Sequence, residues 1–326
     1  MQQFNRKPAN LAELAIGNWQ LAIPTFLFAL SSVAATFQDD FSSDPATRGW
    51  KAFGNTNLFQ WDSTNQNLRA TWDSSQSNSY FYHPLPATLT TNDAFLVQFD
   101  IQLSDIQWTG VYEVSVGLLN LADATSTNFS RALGNSPDLL EFDYFPDDGA
   151  GTPNIAATLT DASNGFFFIY DNLPMNLGVT YRVQLLHYAG ETNIHSNVLT
   201  NGQRYTSMPL AFANPTADFR LDTFAVSSYS AAGDTYGDSI LAKGTIDNVL
   251  VTDLPVQNMS GSLSNTVWHA QFTAQTNWLY TLERTADLRS WTPILPAAPG
   301  ITGSMILSDT NAPPGNALYR IRADRQ

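Results

Sequence analysis

The chain has 326 residues and no cysteine, which excludes a disulfide scaffold, a thiolate zinc site, an iron–sulfur protein and a cysteine nucleophile. Its 15 Lys and Arg residues stand against 29 Asp and Glu residues, and the formal net charge of −14 argues against nucleic acid as a partner, because phosphate binding depends on clustered cations. Apolar residues make up 43% of the chain and charged residues only 13%, a composition typical of a folded protein.

The first 35 residues have the pattern of an export signal. Arg6 and Lys7 precede an apolar run over residues 21–30, and small residues follow over 31–35. The run is shorter than the roughly 20 residues that span a bilayer. We therefore expect residues 1–35 to be a signal peptide that directs export to the periplasm, cell surface or medium, and we expect no membrane span in the mature chain. An uncleaved anchor is the alternative.

Residues 36–254 are dominated by short stretches in which apolar and polar residues alternate, the period of a half-buried strand. Residues 112–118, 181–185 and 244–251 share this alternation, and no helical period interrupts it. Residues 166–170 are aromatic or β-branched without alternation, which is consistent with a strand buried on both faces. The clearest strand, over residues 95–103, places one apolar set on a single face: Phe95, Val97, Phe99, Ile101 and Leu103. The pattern predicts an all-β fold, a two-sheet antiparallel sandwich.

A change of composition follows the sandwich. Residues 255–265 are rich in Ser, Asn and Gly and are predicted to be a linker. Residues 266–326 contain four further strand patterns and are predicted to form a small C-terminal β module. Over residues 256–326 there are 5 basic and 4 acidic side chains, whereas the predicted sandwich carries 8 basic and 24 acidic ones.

Several segments of the predicted sandwich resemble a known superfamily. DDF at 39–41, FQWD at 59–62, NLRATW at 67–72 and GTIDNVLV at 244–251 are similar to the first and last strands of concanavalin A-like lectins and glucanases, including laminin-G-like members. The segment 181–202 resembles the long hairpin of that fold. The resemblance implies a jelly-roll sandwich in a secreted bacterial protein.

The tail resembles a second element. YTLERTADLRSWTPI at 280–294 and LSDTNAPPGNALYRIR at 307–322 are similar to a small C-terminal β module that is common on exported proteins of the verrucomicrobial and planctomycete type. This resemblance implies a location in the bacterial envelope and no particular chemistry.

One acidic strand, residues 140–149, carries most of the chemistry that the sequence suggests. Alternation places Glu141 and Asp143 on one face and apolar neighbours on the other. The family-16 glucanases of the superfamily have acids at this spacing, so the resemblance makes Glu141 and Asp143 the catalytic candidates of a glycoside hydrolase or lyase. The position of the general acid is filled by Phe145 or Pro146, which leaves the enzyme with a non-standard acid.

A metal site is a second interpretation of the same strand. The segment EFDYFPDD is similar to the metal-binding loop of legume-type lectins. The resemblance implies a Ca²⁺ ion held by Asp143, Asp147 and Asp148, because Ca²⁺ prefers carboxylate and carbonyl oxygens. A third interpretation is a polar strand face that ends in an ordinary Pro-Asp-Asp-Gly turn without any ligand.

A sugar-binding face is the remaining hypothesis for the predicted sandwich. Sugar recognition combines flat aromatic rings with carboxylate and amide hydrogen-bonding groups. The candidate ligand-binding residues are Trp61, Asp100, Trp108, Glu113, Glu141, Asp143 and Phe145. We predict an exported, non-catalytic protein that binds an extracellular or cell-surface polysaccharide. The alternatives are the glucanase-type enzyme and a structural or adhesive envelope protein.

Overall fold

The computed structural model describes residues 30–32, 37–129, 131, 138–161, 166–211, 218–294, 296–313 and 317–326. The predicted signal peptide lies outside these residues except for 30–32. Counted over the described residues, the chain forms a large two-sheet sandwich followed by a smaller β module built from two further sheets.

The first sheet of the sandwich is antiparallel and contains seven strands of the described chain. In spatial order they are β11 (Phe166–Asp171), β10 (Asn154–Thr160), β9 (Leu139–Phe145), β8 (Val114–Leu119), β15 (Leu221–Ser228), β6 (Ser79–Leu89) and β3 (Lys51–Phe53). Strand β11 therefore forms one edge of the sheet and β3 the other.

The second sheet is also antiparallel and contains eight described strands. In spatial order they are β14 (Gln203–Ala211), β13 (Asn193–Thr200), β12 (Thr180–His187), β7 (Phe95–Thr109), β16 (Ser239–Asp253), β5 (Asn67–Asp73) and β4 (Phe59–Asp62), with β2 (Phe37–Asp39) paired to β16. Short helices are confined to connections, with α1 over Leu121–Ala124 and 3-10 turns over Pro45–Arg48 and Thr56–Leu58.

The two sheets pack face to face through aromatic and aliphatic side chains. Phe99 of the second sheet contacts Phe142 and Phe224 of the first, with ring centroids 6.1 and 5.9 Å apart. The set predicted from residues 95–103 is buried without exception in this core. The predicted all-β, two-sheet antiparallel jelly-roll sandwich followed by a smaller β module is therefore confirmed.

The C-terminal module has two small sheets over the described residues. One contains β17 (Gln257–Ser264), β18 (Val267–Ala274) and β22 (Gly303–Asp309). The other contains β23 (Leu318–Arg325), β19 (Trp278–Thr285), β20 (Thr292–Pro293), β21 (Ala298–Pro299) and β1 (Leu30–Ser32), the last paired parallel to β23. The linker predicted over 255–265 is wrong in its extent, because residues 257–264 hydrogen-bond to β18 as a strand.

The C-terminal module is joined to the sandwich by buried polar contacts. The guanidinium of Arg325 reaches Asp93 and Asp253, with both N–O distances 3.1 Å, and both carboxylates are almost fully buried. The side-chain amide of Gln275 donates to the carbonyl of Leu254 at 2.9 Å. None of the helices in the described residues has the length and apolarity that crossing a membrane requires.

Replacing Arg325 tests whether this contact stabilises the fold. In Arg325→Ala, Asp93 and Asp253 lose their guanidinium partner while staying buried, so we expect the free energy of unfolding to fall by about 2 kcal/mol. Urea denaturation measures the change. Arg289→Ala, at an exposed position, is the control and should change stability by no more than about 0.5 kcal/mol. Equal losses of stability in the two variants would contradict a stabilising role of the Arg325 contact.

Candidate functional site

Strand β9 carries the acidic residues that the sequence singles out. Leu140 and Phe142 point into the sandwich core, so Glu141 and Asp143 project from the opposite, outward face of the first sheet. The register places Asp143 between Ser115 of β8 and Ala156 of β10. The predicted orientation of both carboxylates is correct, but their exposure is not: Glu141 is 1% and Asp143 0% exposed.

Arg131 covers these carboxylates. Its Nε lies 3.3 Å from Glu141 Oε2 and 3.9 Å from Glu113 Oε1, and its Nη2 lies 3.0 Å from Asp143 Oδ2. The Arg131 side chain is only 6% exposed. One guanidinium thus faces three carboxylates, which we call the Arg131 cluster: Glu113, Arg131, Glu141 and Asp143.

Hydroxyl groups donate further hydrogen bonds to the carboxylates of the cluster. Ser115 Oγ donates to Asp143 Oδ1 at 2.5 Å, and Thr158 Oγ1 donates to Asp143 Oδ2 at 2.6 Å. Tyr229, on the turn after β15, donates its phenolic hydrogen to Glu141 Oε1. Each donor replaces a water molecule that the buried carboxylate has lost.

Burial changes the protonation of the cluster. Burial, together with the charge of Asp143, raises the pKa of Glu141 to about 8, although Arg131 and Tyr229 oppose the rise. Burial likewise raises the pKa of Glu113 to about 7 against the opposing charge of Arg131. Burial alone lowers the pKa of Arg131, but the three surrounding carboxylates outweigh it and raise this pKa. Near neutral pH the glutamates therefore hold protons for part of the time, which limits the excess of negative charge.

The catalytic interpretation of Glu141 and Asp143 is not supported by this geometry. A retaining glycosidase presents two carboxyl groups, about 5–5.5 Å apart, to the sugar. Both carboxylates are instead buried and hydrogen-bonded to protein groups, with Arg131 above them. A substrate could reach neither group without displacing Arg131.

The expected Ca²⁺ site does not form either. Asp143 is paired with Arg131, whose guanidinium takes the place of a metal ion as the counter-charge. Asp147 accepts the backbone N–H groups of Gly149 and Gly151, and Asp148 accepts those of Ala150 and Thr152. In the part of the chain that the structure describes, no three His, Asp or Glu side chains are grouped as metal ligands. The three aspartates therefore do not fit the ion.

Three of the predicted ligand-binding residues lie elsewhere. Asp100 belongs to β7 of the second sheet, where it pairs with Arg182 at 2.7 and 2.8 Å. Trp61 lies in β4, donates its indole N–H to the carbonyl of Phe41 and packs against the core. Trp108, at the end of β7, is 45% exposed. The expected single face containing both Asp100 and Glu141 is wrong, because the two residues belong to different sheets.

A row of aromatic rings follows the edge strand β11. Phe166, Phe168 and Tyr170 are 48, 55 and 51% exposed. The ring centroids of Phe166 and Phe168 are 5.6 Å apart, and those of Phe168 and Tyr170 are 6.1 Å apart with planes inclined by only 9°. The expectation that this strand is buried on both faces is wrong. Alternate residues Phe167 and Ile169 pack on the core, and Phe166, Phe168 and Tyr170 lie on the opposite face of the strand.

The aromatic row borders two adjoining cavities. The first, of about 370 Å³, contains Asn154 and Asp148 beside the rings of Phe168 and Tyr170. The second, of about 400 Å³, is lined by residues that include Tyr112, Glu113, Asp234, Tyr236 and Asp238. The cavities share Val111, Arg131, Phe145 and Phe166, and we call their union the β11 groove. Of the predicted ligand-binding residues, Glu113 and Phe145 line it.

Two buried polar atoms in the groove residues have no hydrogen-bond partner among the described residues. They are Oδ1 of Asn154, in a residue that is 6% exposed, and the hydroxyl of Tyr112, in a residue that is 2% exposed. Unpaired buried polar atoms are uncommon in folded proteins, and each calls for an explanation. At the floor of a groove, a ligand can supply the missing partner.

The sequence analysis missed Arg131 and the aromatic row, and also these groove residues: Tyr112, Asn154, Asp234, Tyr236 and Asp238. A signal for Arg131 exists, because it is the only Lys or Arg between Arg69 and Arg182. Among the acids of that interval, Glu113, Glu141 and Asp143 are buried together and require a cation, and Arg131 is the only one that the interval supplies. For Phe166, Phe168 and Tyr170 the sequence holds no equivalent signal, since an aromatic run fits a buried strand and an edge strand equally well.

Comparison with known proteins gives fold-level likenesses only. No family model and no curated protein matches the chain. Among solved structures, alginate lyase Aly36B is 12% identical, with 68% of this chain and 98% of that chain covered and a TM-score of 0.40. Lectin II from Ulex europaeus is 11% identical, and the match covers 69% of this chain and 99% of the lectin with a TM-score of 0.45. The legume lectin-like domain from Entamoeba histolytica is 8% identical, and the match covers 69% of this chain and 100% of that domain with a TM-score of 0.43. At these values the likenesses carry no information about a ligand of this chain.

Removing the guanidinium tests the role of the Arg131 cluster. In Arg131→Met, Glu113, Glu141 and Asp143 remain buried without a cation, so the free energy of unfolding should fall by about 3–5 kcal/mol in urea denaturation at pH 7. Arg69→Met is the matched control. Arg69 is 60% exposed, and its partner Asp62 keeps hydrogen bonds from Thr64 and Asn65 when the guanidinium is removed, so the loss should cost about 1 kcal/mol or less. A small and equal loss in both variants would contradict the cluster's structural role.

The raised pKa values of Glu113 and Glu141 predict how stability depends on pH. In the unfolded chain both groups lose their protons near pH 4.5, whereas in the folded chain they keep them to about pH 7 and 8. The two groups therefore make their full contribution to the free energy of unfolding below about pH 4.5. This stabilising contribution decreases as the pH rises and is lost at about pH 8.

The variant Glu141→Gln isolates this effect. Glutamine cannot ionise, so urea denaturation at several pH values should show a shallower loss of stability between pH 5 and 8 than in the unsubstituted chain, by on the order of a few kcal/mol across the range. Asp218→Asn, at a carboxylate that is 58% exposed, should leave the slope unchanged. An unchanged slope in Glu141→Gln would show that this carboxyl group is ionised throughout.

Proposed function

We propose that this protein binds a carbohydrate chain in the β11 groove without cleaving it. The observation that carries the proposal is the row of three half-exposed rings, Phe166, Phe168 and Tyr170, beside a groove with polar groups at its floor. Aromatic rings of this kind pack against the apolar faces of sugars, and neighbouring polar groups bind the hydroxyls. We further propose that the protein does this after export, as the pattern of residues 1–35 indicates.

The arrangement of the rings favours an extended ligand. Successive outward positions on a strand repeat at about 6.8 Å, so the three rings form a linear platform rather than a closed pocket. The platform lies on an edge strand, because no described strand of the first sheet pairs with β11 on the side away from β10. A large exposed apolar patch on a folded protein is typical of a binding surface. A polymer that runs along β11 fits this shape.

Binding without catalysis is favoured by the state of the acidic residues. Glu141 and Asp143 are covered by Arg131, which leaves Glu113 as the one member of the cluster whose ion pair, at 3.9 Å, is long. The carboxylates Asp148 and Asp234 in the groove accept backbone N–H groups of their own loops. The two sequence-based catalytic candidates, Glu141 and Asp143, are therefore not free to face a sugar, which supports binding without cleavage. We expect no release of reducing ends or of unsaturated sugars from bound oligosaccharides.

Replacing the exposed rings tests the proposal. A panel of neutral, acidic and amino-sugar oligosaccharides is first screened on an array with the full chain, and Kd is then measured by calorimetry. In Phe168→Ala and Tyr170→Ala the affinity for the bound sugar should fall by about 10-fold or more, corresponding to at least about 1.4 kcal/mol. The fold should be unaffected because both rings are exposed.

The control for this experiment is Phe53→Ala. Phe53 is 38% exposed on β3, at the opposite edge of the same sheet, and lies outside the groove. Its replacement should leave Kd within a factor of about two of the original. Trp108→Ala tests the sequence-based candidate in the same assay. Binding that survives the loss of Phe168 and Tyr170 but fails without Trp108 would refute the β11 groove as the site.

A further inference from the structure

The carboxylates around the β11 groove are not balanced by available cations. Asp148 lines the first cavity, and Asp234 and Asp238 line the second beside Glu113, which belongs to the Arg131 cluster. Among the described lining residues the only cationic side chain is Arg131. Its N–H groups are bonded to Glu141 and Asp143 below the groove, so it cannot neutralise a further anion. The surface that meets a ligand is therefore negative.

The carboxylate of Asp234 in the second cavity is held in place by its own loop. Asp234 accepts the backbone N–H of Tyr236 at 3.1 Å and that of Asp238 at 2.6 Å. These hydrogen bonds lower the pKa of Asp234, which keeps its negative charge in the loop. Tyr236, between the two acids in the sequence, is 88% exposed and adds a second aromatic surface to the lining of the groove. The negative charge is thus fixed and lies next to an aromatic ring.

The unpaired buried atoms are an independent indication of a ligand. Asn154 Oδ1 is an acceptor that lacks a donor among the described residues, and the hydroxyl of Tyr112 can also accept. Each belongs to a residue that is more than nine-tenths buried and lines the groove. Together with the carboxylates, these atoms make the groove rich in acceptors. A ligand with N–H donors and positive charge complements both properties.

We propose that the β11 groove selects glycans that carry free amino groups, such as deacetylated amino-sugar polymers, over neutral glycans and over those that carry carboxylates. This rests on the proposed function above. Protonated amines pair with Asp148, Asp234 and Asp238 and donate hydrogen bonds to the acceptors at the floor. They also lie favourably over the faces of Tyr170 and Tyr236, because aromatic faces attract cations. Uronates are repelled by the same carboxylates.

Three hexasaccharides that differ in charge test the selection. Calorimetry with the full chain at pH 6 and low salt compares glucosamine hexamer, N-acetylglucosamine hexamer and a hexauronate. We expect the glucosamine hexamer to bind about 10-fold or more tightly than its acetylated form and the hexauronate not to bind measurably. Because screening weakens exposed charge pairs, 0.5 M salt should remove most of this preference.

The double variant Asp234→Asn/Asp238→Asn identifies the groups responsible. Both side chains are half-buried, and asparagine keeps an oxygen acceptor for the loop, so thermal melting should be nearly unchanged. The preference for the amine, measured as the ratio of the Kd values of the acetylated and free amino sugars, should fall several-fold because two negative charges are lost. Single Asp238→Asn serves if the double variant melts early. Asp218→Asn, at an exposed acid outside the groove, should leave the preference intact.

The outcomes separate this inference from the proposed function. If the acetylated and free amino sugars bind equally, or if the hexauronate binds best, the selection for amines is wrong while sugar binding stands. The same conclusion follows if the double variant keeps the full preference. If neither these hexasaccharides nor the array panel binds, the proposed function fails and this inference fails with it.

Discussion

The interaction between one guanidinium and three carboxylates organises the outward face of the first sheet. Arg131 places its side chain over Glu113, Glu141 and Asp143, which come from adjacent strands or their ends. Burying a single ion of this kind costs several kcal/mol unless it is paired and hydrogen-bonded. Ser115 and Thr158 bond Asp143, and a tyrosine hydroxyl bonds Glu141, so the carboxylates nearest Arg131 are also hydrogen-bonded. The cluster holds the Arg131 side chain against the outward face of the first sheet.

The outward face of the first sheet therefore carries two sets of polar and aromatic groups. The acids of the Arg131 cluster form the first set, and because they are paired with Arg131 they stabilise the fold and do not contact a substrate. The second set remains exposed to a ligand and consists of the rings on β11, the ring of Tyr236 and the acids of two loops. The guanidinium of Arg131 also lies 5.9 Å from the ring of Phe166, which ties the position of the platform to the cluster.

Local sequence patterns correctly predicted the features that depend on one strand alone. Alternation identified the buried set of β7 and the outward orientation of Glu141 and Asp143, because side chains of a strand alternate between its two faces whatever its neighbours are. It could not say that Asp100 and Glu141 belong to different sheets. Nor could it show that residues 257–264 pair with β18, since a Ser- and Gly-rich strand resembles a linker in composition.

By itself, the sequence determined the all-β class, the two-part organisation and the strong negative charge of the sandwich, because these follow from periodicity and composition. Only the tertiary structure decided that β11 is an edge strand with its rings exposed, and that Arg131 takes the position expected for a cation such as Ca²⁺. The physical reason is that burial depends on which distant strands pair. Strands β9 and β15 are separated by about eighty residues of chain, yet both are neighbours of β8, and no local pattern encodes that choice.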